Sequence, residues 1–511
     1  MKAFLMYKER DVDLQRKPPS SESALTQDLE LNTLFNAMAL RDRFLFDITK
    51  KVILSDASSL STIHYRQQVL KDCLKNPAIV REIYRITIES VENKKRVWYG
   101  SFGRYPGSTL HSSVEMLQMF ITLLKKLKDI ADEHADKFES EGFTAFFAMI
   151  KRELADEYFG RMQNHLTELK FRNGVLISAE LGKGNEGTDY ILRKPNEKKE
   201  IWIERIFAKR PSVYTFALHP RDEAGARALS ELKDRGINLV ANALGQSADH
   251  VDSFFKMLRI ELAFYVGCLN LHEQLARMGE RVCFPMPVSP NERKHSFQGL
   301  YDVCLALTMG RKVVGNAVNA DHKALVLITG ANQGGKSTFL RSVGVAQLMM
   351  QAGMFVPAES FSANICDGLF THYKREEDAT MESGKLDEEL SRMSDMVDNI
   401  TPNAMVLFNE SFAATNEREG SEIAKQIVSA LLKKRVKIFF VTHQYELSHI
   451  LFNKKMKNAI FLRAERKAGG KRTYKLVEGE PLETSYGRDL YNRIFGTGTG
   501  NAMTPGNDRQ R

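Results

Sequence analysis

Ala324-Leu-Val-Leu-Ile-Thr329-Gly330-Ala-Asn-Gln-Gly334-Gly335-Lys336-Ser337-Thr338 decides how this chain is read. Ala324 to Thr329 is a short apolar run of the length and composition of a buried strand. Gly330 to Ser337 then satisfies GxxxxGK[ST]. Beyond it, Leu340, Val343, Val345, Ala346 and Leu348 give a helix an apolar face. Strand, glycine turn and helix in that order form a P-loop: glycines let backbone N–H groups curl around a β-phosphate, and the helix N-terminus adds partial positive charge. Lys336 neutralises the β- and γ-phosphates, and Ser337 offers a hydroxyl to Mg²⁺. Gly330, Asn332, Gly334, Gly335, Lys336, Ser337 and Thr338 are therefore assigned to nucleotide binding, with ATP and Mg²⁺ as the expected ligands.

Two later strands extend the reading. Ala404-Met-Val-Leu-Phe runs into Asn409-Glu410. A P-loop ATPase usually ends this strand in an Asp that holds the hydrated Mg²⁺, followed by a Glu that polarises the attacking water. Asn409 brings an amide oxygen without the charge, so it reaches the metal through water, and Glu410 is the candidate catalytic base. ATP binding is thus better founded than fast hydrolysis. Lys437-Ile-Phe-Phe-Val leads to Thr442-His443, and His443 is a candidate catalytic residue that senses the γ-phosphate or positions water. From Lys323 onward the alternation of strand and helix predicts a mainly parallel sheet with helices on its faces.

The rest of the 511 residues is mostly helical in texture. Residues 1–27 read as a flexible lead-in and 28–310 as a mainly helical region, with a small β unit at about 174–217. Ile201-Trp-Ile and Val213-Tyr-Thr-Phe are strand candidates within that unit, and Ser247 to Met278 is expected to be one long helix acting as a lever. Residues 311–495 form the ATPase domain, and 496–511 a disordered tail. Gly182-Lys-Gly-Asn-Glu-Gly187 matches a dinucleotide fingerprint, but it lies between two short strands and opens no helix, so a hairpin turn is expected.

Composition narrows the classes. Five scattered cysteines without a CxxC pair suggest neither a disulfide framework nor a zinc site, which fits a cytoplasmic protein. No stretch approaches the roughly 18 unbroken apolar residues of a membrane span, and the N-terminus does not read as a signal peptide. A net charge of +9 suits a partner with a phosphate backbone.

These residues resemble the MutS family of DNA mismatch-repair ATPases. Thr329 to Thr338 is similar to that family's TGPNMGGKST loop, and Phe355-Val-Pro-Ala, Thr442-His-Gln-Tyr-Glu-Leu, Thr484-Ser-Tyr-Gly and Ile63-His-Tyr-Arg-Gln-Gln-Val-Leu agree with it. The resemblance implies an ABC-type ATPase domain behind a helical core and lever, DNA as a partner, homodimerisation and repair partner proteins. It also implies that Ser383 and Gly384, preceding a helix from Leu386 to about Val397, contact the nucleotide of the opposite subunit. The departures are Asn409-Glu-Ser-Phe-Ala-Ala-Thr in place of the family's DEIGRGT and Val313 where an aromatic stacks on adenine. No counterpart of the N-terminal mismatch-reading domain is found, and Phe138-Glu-Ser is not its Phe-x-Glu wedge.

The leading expectation is an ATP-dependent, dimeric DNA clamp or sensor of DNA structure or mismatches in repair. An alternative is a nucleotide-gated scaffold that binds ribosomal RNA or protein and hydrolyses ATP weakly. A transporter ATPase subunit fits less well, because it does not need the long extension before the P-loop.

Overall fold

The computed structural model describes residues 1–55, 59–98, 105–172, 174–194, 214–331, 333–375, 384–466 and 472–482. Its contacts group into two units, one of residues 1–12 and 71–263 and one of residues 13–70 and 264–511.

The first unit is built on helices Pro77–Trp98, Pro106–His134, Glu141–Glu153 and Asp156–Glu168. Pro106 opens its helix in the first turn, where the missing N–H has no intrahelical partner to lose. Leu110, Val114, Leu117, Leu124 and Leu127 then recur at helical spacing and are buried. Ser140 caps Glu141–Glu153 by accepting from the Phe143 amide. Phe138, 5% exposed, packs on Phe143 and Phe147 at ring distances of 4.5 and 5.1 Å, so its ring belongs to a core. Strands β1 (Leu176–Leu181) and β2 (Gly187–Arg193) pair antiparallel, and the GxGxxG segment is the turn between them. The strand expected at Ile201–Ile203 lies outside the described residues. Tyr214 to Phe216 forms no strand, and both aromatics are exposed.

Helix Glu223–Arg277 is 55 residues long, well beyond the run expected from Ser247. The added turns come from Glu223 to Gly245, rich in Ala, Leu, Glu, Lys and Arg, whose helix propensity needs no strong apolar stripe.

The second unit holds two sheets. Four strands, β3 (Met286–Val288), β4 (His295–Leu300), β5 (Asn316–Asn319) and β7 (Ser360–Asn364), take the order β3-β7-β4-β5. The larger sheet adds β6 (Leu325–Thr329), β8 (Leu369–Tyr373), β9 (Met405–Asn409), β10 (Lys437–Val441), β11 (Ala459–Arg466) and β12 (Arg472–Glu478) in the order β12-β11-β6-β10-β9-β8. All its pairings are parallel except β11 with β12. Strands β6, β8 and β10 are buried along their whole length, as expected for a parallel sheet covered on both faces. Phe408 stacks on Phe440 across β9 and β10 at 4.9 Å, a contact worth about 0.5–1.5 kcal/mol beyond its area.

Register positions the candidate site. Ile328 lies beside Val441, Val441 beside Asn409, and Asn409 beside Tyr373. Four parallel strands therefore end in one row, and the residues that follow share one edge of the sheet. Residues 13–70 join this unit through long-range bonds, such as Asn270 Nδ2 to the Met38 carbonyl (2.8 Å) and Arg375 to Asp28 (2.8 Å).

Candidate functional site

The loop after β6 leads into helix Lys336–Ala352. Gly330 and Gly335 have φ of +115° and +88°, a region that side chains rarely enter. A Cβ on Gly330 would also lie 2.9 Å from the Ala464 nitrogen of β11, so the loop rests against the neighbouring strand. Arg472 Nη1 donates to Gln333 Oε1 (2.7 Å) and holds the loop from β12.

Lys336 is 5% exposed, and its ammonium donates to the Gly330 and Ala331 carbonyls, each at 3.0 Å. Burial pulls its pKa down to about 8, partly offset by the charge of Glu410. A buried cation whose hydrogen bonds go to neutral loop carbonyls suits a phosphate, which adds countercharge in direct contact.

The next residue meets the neighbouring loop. Ser337 Oγ donates to Asn409 Oδ1 (2.9 Å), so the hydroxyl and the amide oxygen present a pair of neutral oxygens. Oxygen donors match Mg²⁺, but a neutral pair attracts a dication less than a carboxylate does. No group of three or more His, Cys, Asp or Glu side chains that could hold a metal occurs among the described residues.

Glu410 and His443 come together: His443 Nε2 lies 2.8 Å from Glu410 Oε1, with the side chains 27% and 34% exposed respectively. The His443 hydrogen bond is the main cause holding the Glu410 carboxyl below its ordinary pKa, helped by the charges of His443, Lys336 and Lys374. An ionised carboxylate beside an imidazole can accept a proton from water. Glu410 has a φ of +56°, which costs a non-glycine residue about 1–2 kcal/mol, so surrounding contacts must impose it.

Of the nucleotide-binding candidates, Gly330, Gly334, Gly335, Lys336, Ser337 and Thr338 all lie in this loop or the first turn of its helix. Asn332 and Ser383 lie outside the described residues, as does Thr484-Ser-Tyr-Gly. Gly384 is the N-cap of helix Lys385–Asn399 and makes no side-chain cap. Val313 is half-buried, with its N–H bonded to Glu280 Oε1 (2.7 Å).

Several residues of the site carry no motif. Lys374 follows β8, donates its N–H to the Asn409 carbonyl (2.9 Å) and adds positive charge at Glu410. His372 and Glu389, with Gln444 of the Thr442-to-Leu447 stretch, reach the loop after Glu410 from three different segments. Only the strand register could have pointed to Lys374 and His372, and that depends on pairing partners far away in sequence.

Two family models match this chain. The MutS2 N-terminal domain matches residues 58–278, and MutS domain V matches residues 326–494. The chain belongs to the MutS family. The domain V match covers the glycine loop, Asn409-Glu410 and His443 together. The DNA mismatch repair protein MutS of Clostridium botulinum (strain Alaska E43 / Type E3) is 37% identical over 134 residues, covering 26% of this chain and 14% of that protein. The protein of the same name from Thermus aquaticus is 34% identical over 166 residues, 32% of this chain and 20% of that protein. The one from Streptococcus mutans serotype c (strain ATCC 700610 / UA159) is 26% identical over 277 residues, 52% of this chain and 32% of that protein. The matches thus span from about a seventh to a third of these MutS-family relatives' own length. Among the described residues, no helix is long and apolar enough to cross a membrane.

Proposed function

We infer that this MutS-family chain is an ATPase whose nucleotide state gates its hold on DNA, acting as a pair of copies in DNA repair. The observation that carries the reading is the convergence of Lys336, the Ser337–Asn409 pair and the Glu410–His443 pair at the ends of adjacent parallel strands.

The residues divide the chemistry among them. The loop amides and the Lys336 ammonium bind the phosphates, the ammonium exchanging its two carbonyl partners for phosphate oxygens. Mg²⁺, held by Ser337 Oγ and, through water, by Asn409 Oδ1, would neutralise phosphate charge. Glu410 accepts the proton of the water whose oxygen bonds to the γ-phosphorus, while the β–γ bridging P–O bond breaks and ADP leaves. His443 holds the Glu410 carboxylate ionised and oriented. Ser383 and Gly384 are assigned to the nucleotide of a second copy on the resemblance to the family, and Gly384 caps the N-terminus of helix Lys385–Asn399, whose dipole favours an anion.

DNA is the proposed partner because this basic chain shares its ATPase domain with proteins named for DNA mismatch repair. The test is a binding panel of homoduplex, mismatched, branched and single-stranded DNA plus RNA, with and without ATP and Mg²⁺. Salt-sensitive, nucleotide-dependent retention of at least one DNA is expected. Absence of all DNA binding at low salt with ATP present would remove the reading. Asn409 favours a second reading, a slowly hydrolysing scaffold that binds ribosomal RNA or protein. Nucleotide-dependent retention of RNA alone on the same panel would select it.

A further inference from the structure

We propose that His372, Glu389 and Gln444 form a three-sided clamp that positions Glu410, and that through Glu389 the clamp ties the base to helix Lys385–Asn399. The proposal rests on the reading of Glu410 as the base and goes beyond it by assigning residues that set its position.

The geometry lies in Ser411 and Phe412, which follow Glu410. Both are buried, at 1% and 0% exposure, and Phe412 has a φ of +62°. Glu389, 2% exposed, accepts the Phe412 N–H on Oε2 (2.9 Å). Gln444, the neighbour of His443, donates Nε2 to the Phe412 carbonyl (3.0 Å). Both backbone polar groups of one residue are thus held by buried side chains from different segments.

His372 closes the third side. Its ring stacks on Phe412 at 5.2 Å with an 18° interplanar angle. Its Nε2 faces the Glu389 carbonyl at 3.0 Å, and that oxygen can only accept, so Nε2 carries the proton. Nδ1 is then unprotonated, and Ser411 Oγ lies 2.8 Å from it and 2.5 Å from the His372 carbonyl, so these two acceptors share its single proton. Burial pushes the His372 pKa down to about 4, which agrees with this neutral tautomer.

Gly420 leaves room for the arrangement. A Cβ at that position would sit 2.2 Å from the Phe412 carbonyl oxygen and 2.7 Å from Gln444 Nε2. Glu410 and His443, which meet at 2.8 Å, are therefore each flanked by a clamped or clamping residue. Glu389 lies on the helix whose N-cap is Gly384, so a shift of that helix is transmitted to the Glu410 loop through one carboxylate and one carbonyl.

The test compares Glu389→Ala with Glu389→Gln, since glutamine keeps an acceptor for the Phe412 N–H. Glu389→Ala is expected to lower kcat roughly tenfold or more, within the ~10²-fold that a 1 Å misplacement can cost, with KM for ATP within about twofold. Glu389→Gln should stay near wild type, and Ser411→Ala should fall between them. Equal turnover in the two Glu389 variants, or a KM that rises in step with the loss of kcat, would overturn the clamp. Hydrogen exchange across residues 405–416 provides a readout that does not depend on hydrolysis. Faster exchange in Glu389→Ala than in Glu389→Gln is expected, and equal exchange overturns the proposal. A wild type that turns over no faster than Glu410→Gln removes Glu410 as base, and the exchange result alone then judges the clamp.

Discussion

Two loops meet at the edge of the large sheet, and they are shaped by different means. The loop Gly330–Gly335 is shaped mainly by its own residues: glycines at φ of +115° and +88° make the turn and its carbonyls hold Lys336, while Arg472 adds one outside bond to Gln333, itself at φ of +57°. The loop after Glu410 has no glycine among residues 409–415, yet Glu410 and Phe412 sit at φ of +56° and +62°. It is shaped from outside, by Glu389, His372 and Gln444. A self-shaped loop keeps its form wherever a strand and a helix flank it. An externally shaped loop moves when its supports move, which suits a switch and makes it sensitive to substitutions far from the chemistry.

Removing the Glu410 carboxylate separates the chemistry of the two loops. Glu410→Gln keeps the shape of the site and removes the proton acceptor, so turnover should fall about 10²–10⁴-fold, the usual contribution of a general base. ATP retention should remain, because the phosphate contacts belong to the other loop. Rapid-quench hydrolysis with filter-bound ATP measures both, and unchanged turnover would show that Glu410 is not the base.

Gly420→Ala attacks the external support without touching a charged group. Its Cβ would collide with the Phe412 carbonyl, and that oxygen and Gln444 Nε2 would have to part. Overpacking of this kind costs about 1–3 kcal/mol, seen as a lower melting temperature, together with a loss of turnover. A stable variant with full activity would mean that the Phe412 carbonyl is free to move, contrary to the comparison.

That contrast also explains what could be read from the sequence. Gly330 to Ser337 was legible because its conformation depends on adjacent residues whose types state it. Asn409, Glu410 and His443 were legible as strand ends, since apolar runs are local. Their meeting in one row follows from a register that places Val441 between Ile328, 113 positions away, and Asn409, 32 positions away, and pairing at such distances leaves no local mark. The roles of His372 and Glu389 were invisible for the same reason: each is an ordinary polar residue until its distant partner is known. The long helix was legible only from Ser247, because its first turns carry propensity without a clear apolar stripe. The grouping of residues 13–70 with 264–511 rests on bonds such as Asn270 to Met38, 232 positions apart.

Asn409 is where the loops exchange a bond, and Asn409→Asp changes the charge at that junction. The variant restores a charge beside Ser337 and keeps an acceptor for its hydroxyl. One added charge at a partly exposed site should lower the Mg²⁺ concentration for half-maximal ATP binding roughly three- to tenfold. A Mg²⁺ titration of ATP binding reads this, and no shift would place the metal elsewhere.

The smallest effect tests the glycine loop alone. With its pKa near 8, Lys336 is mostly charged at pH 6.5 and roughly three-quarters neutral at pH 8.5. Phosphates favour the charged form, so binding raises the pKa, and the complex must take up a proton that the free protein lacks. The sign is fixed: uptake approaches zero below pH 7 and rises toward ~0.7 proton per nucleotide at pH 8.5. Calorimetry of ATP binding with saturating Mg²⁺, repeated in buffers of different ionisation enthalpy, measures that fraction. Lys336→Arg is the control, because guanidinium stays charged throughout and should abolish the uptake even if affinity falls. Uptake that persists in the arginine variant would belong to another group, and the ammonium of Lys336 would then be charged before the nucleotide arrives.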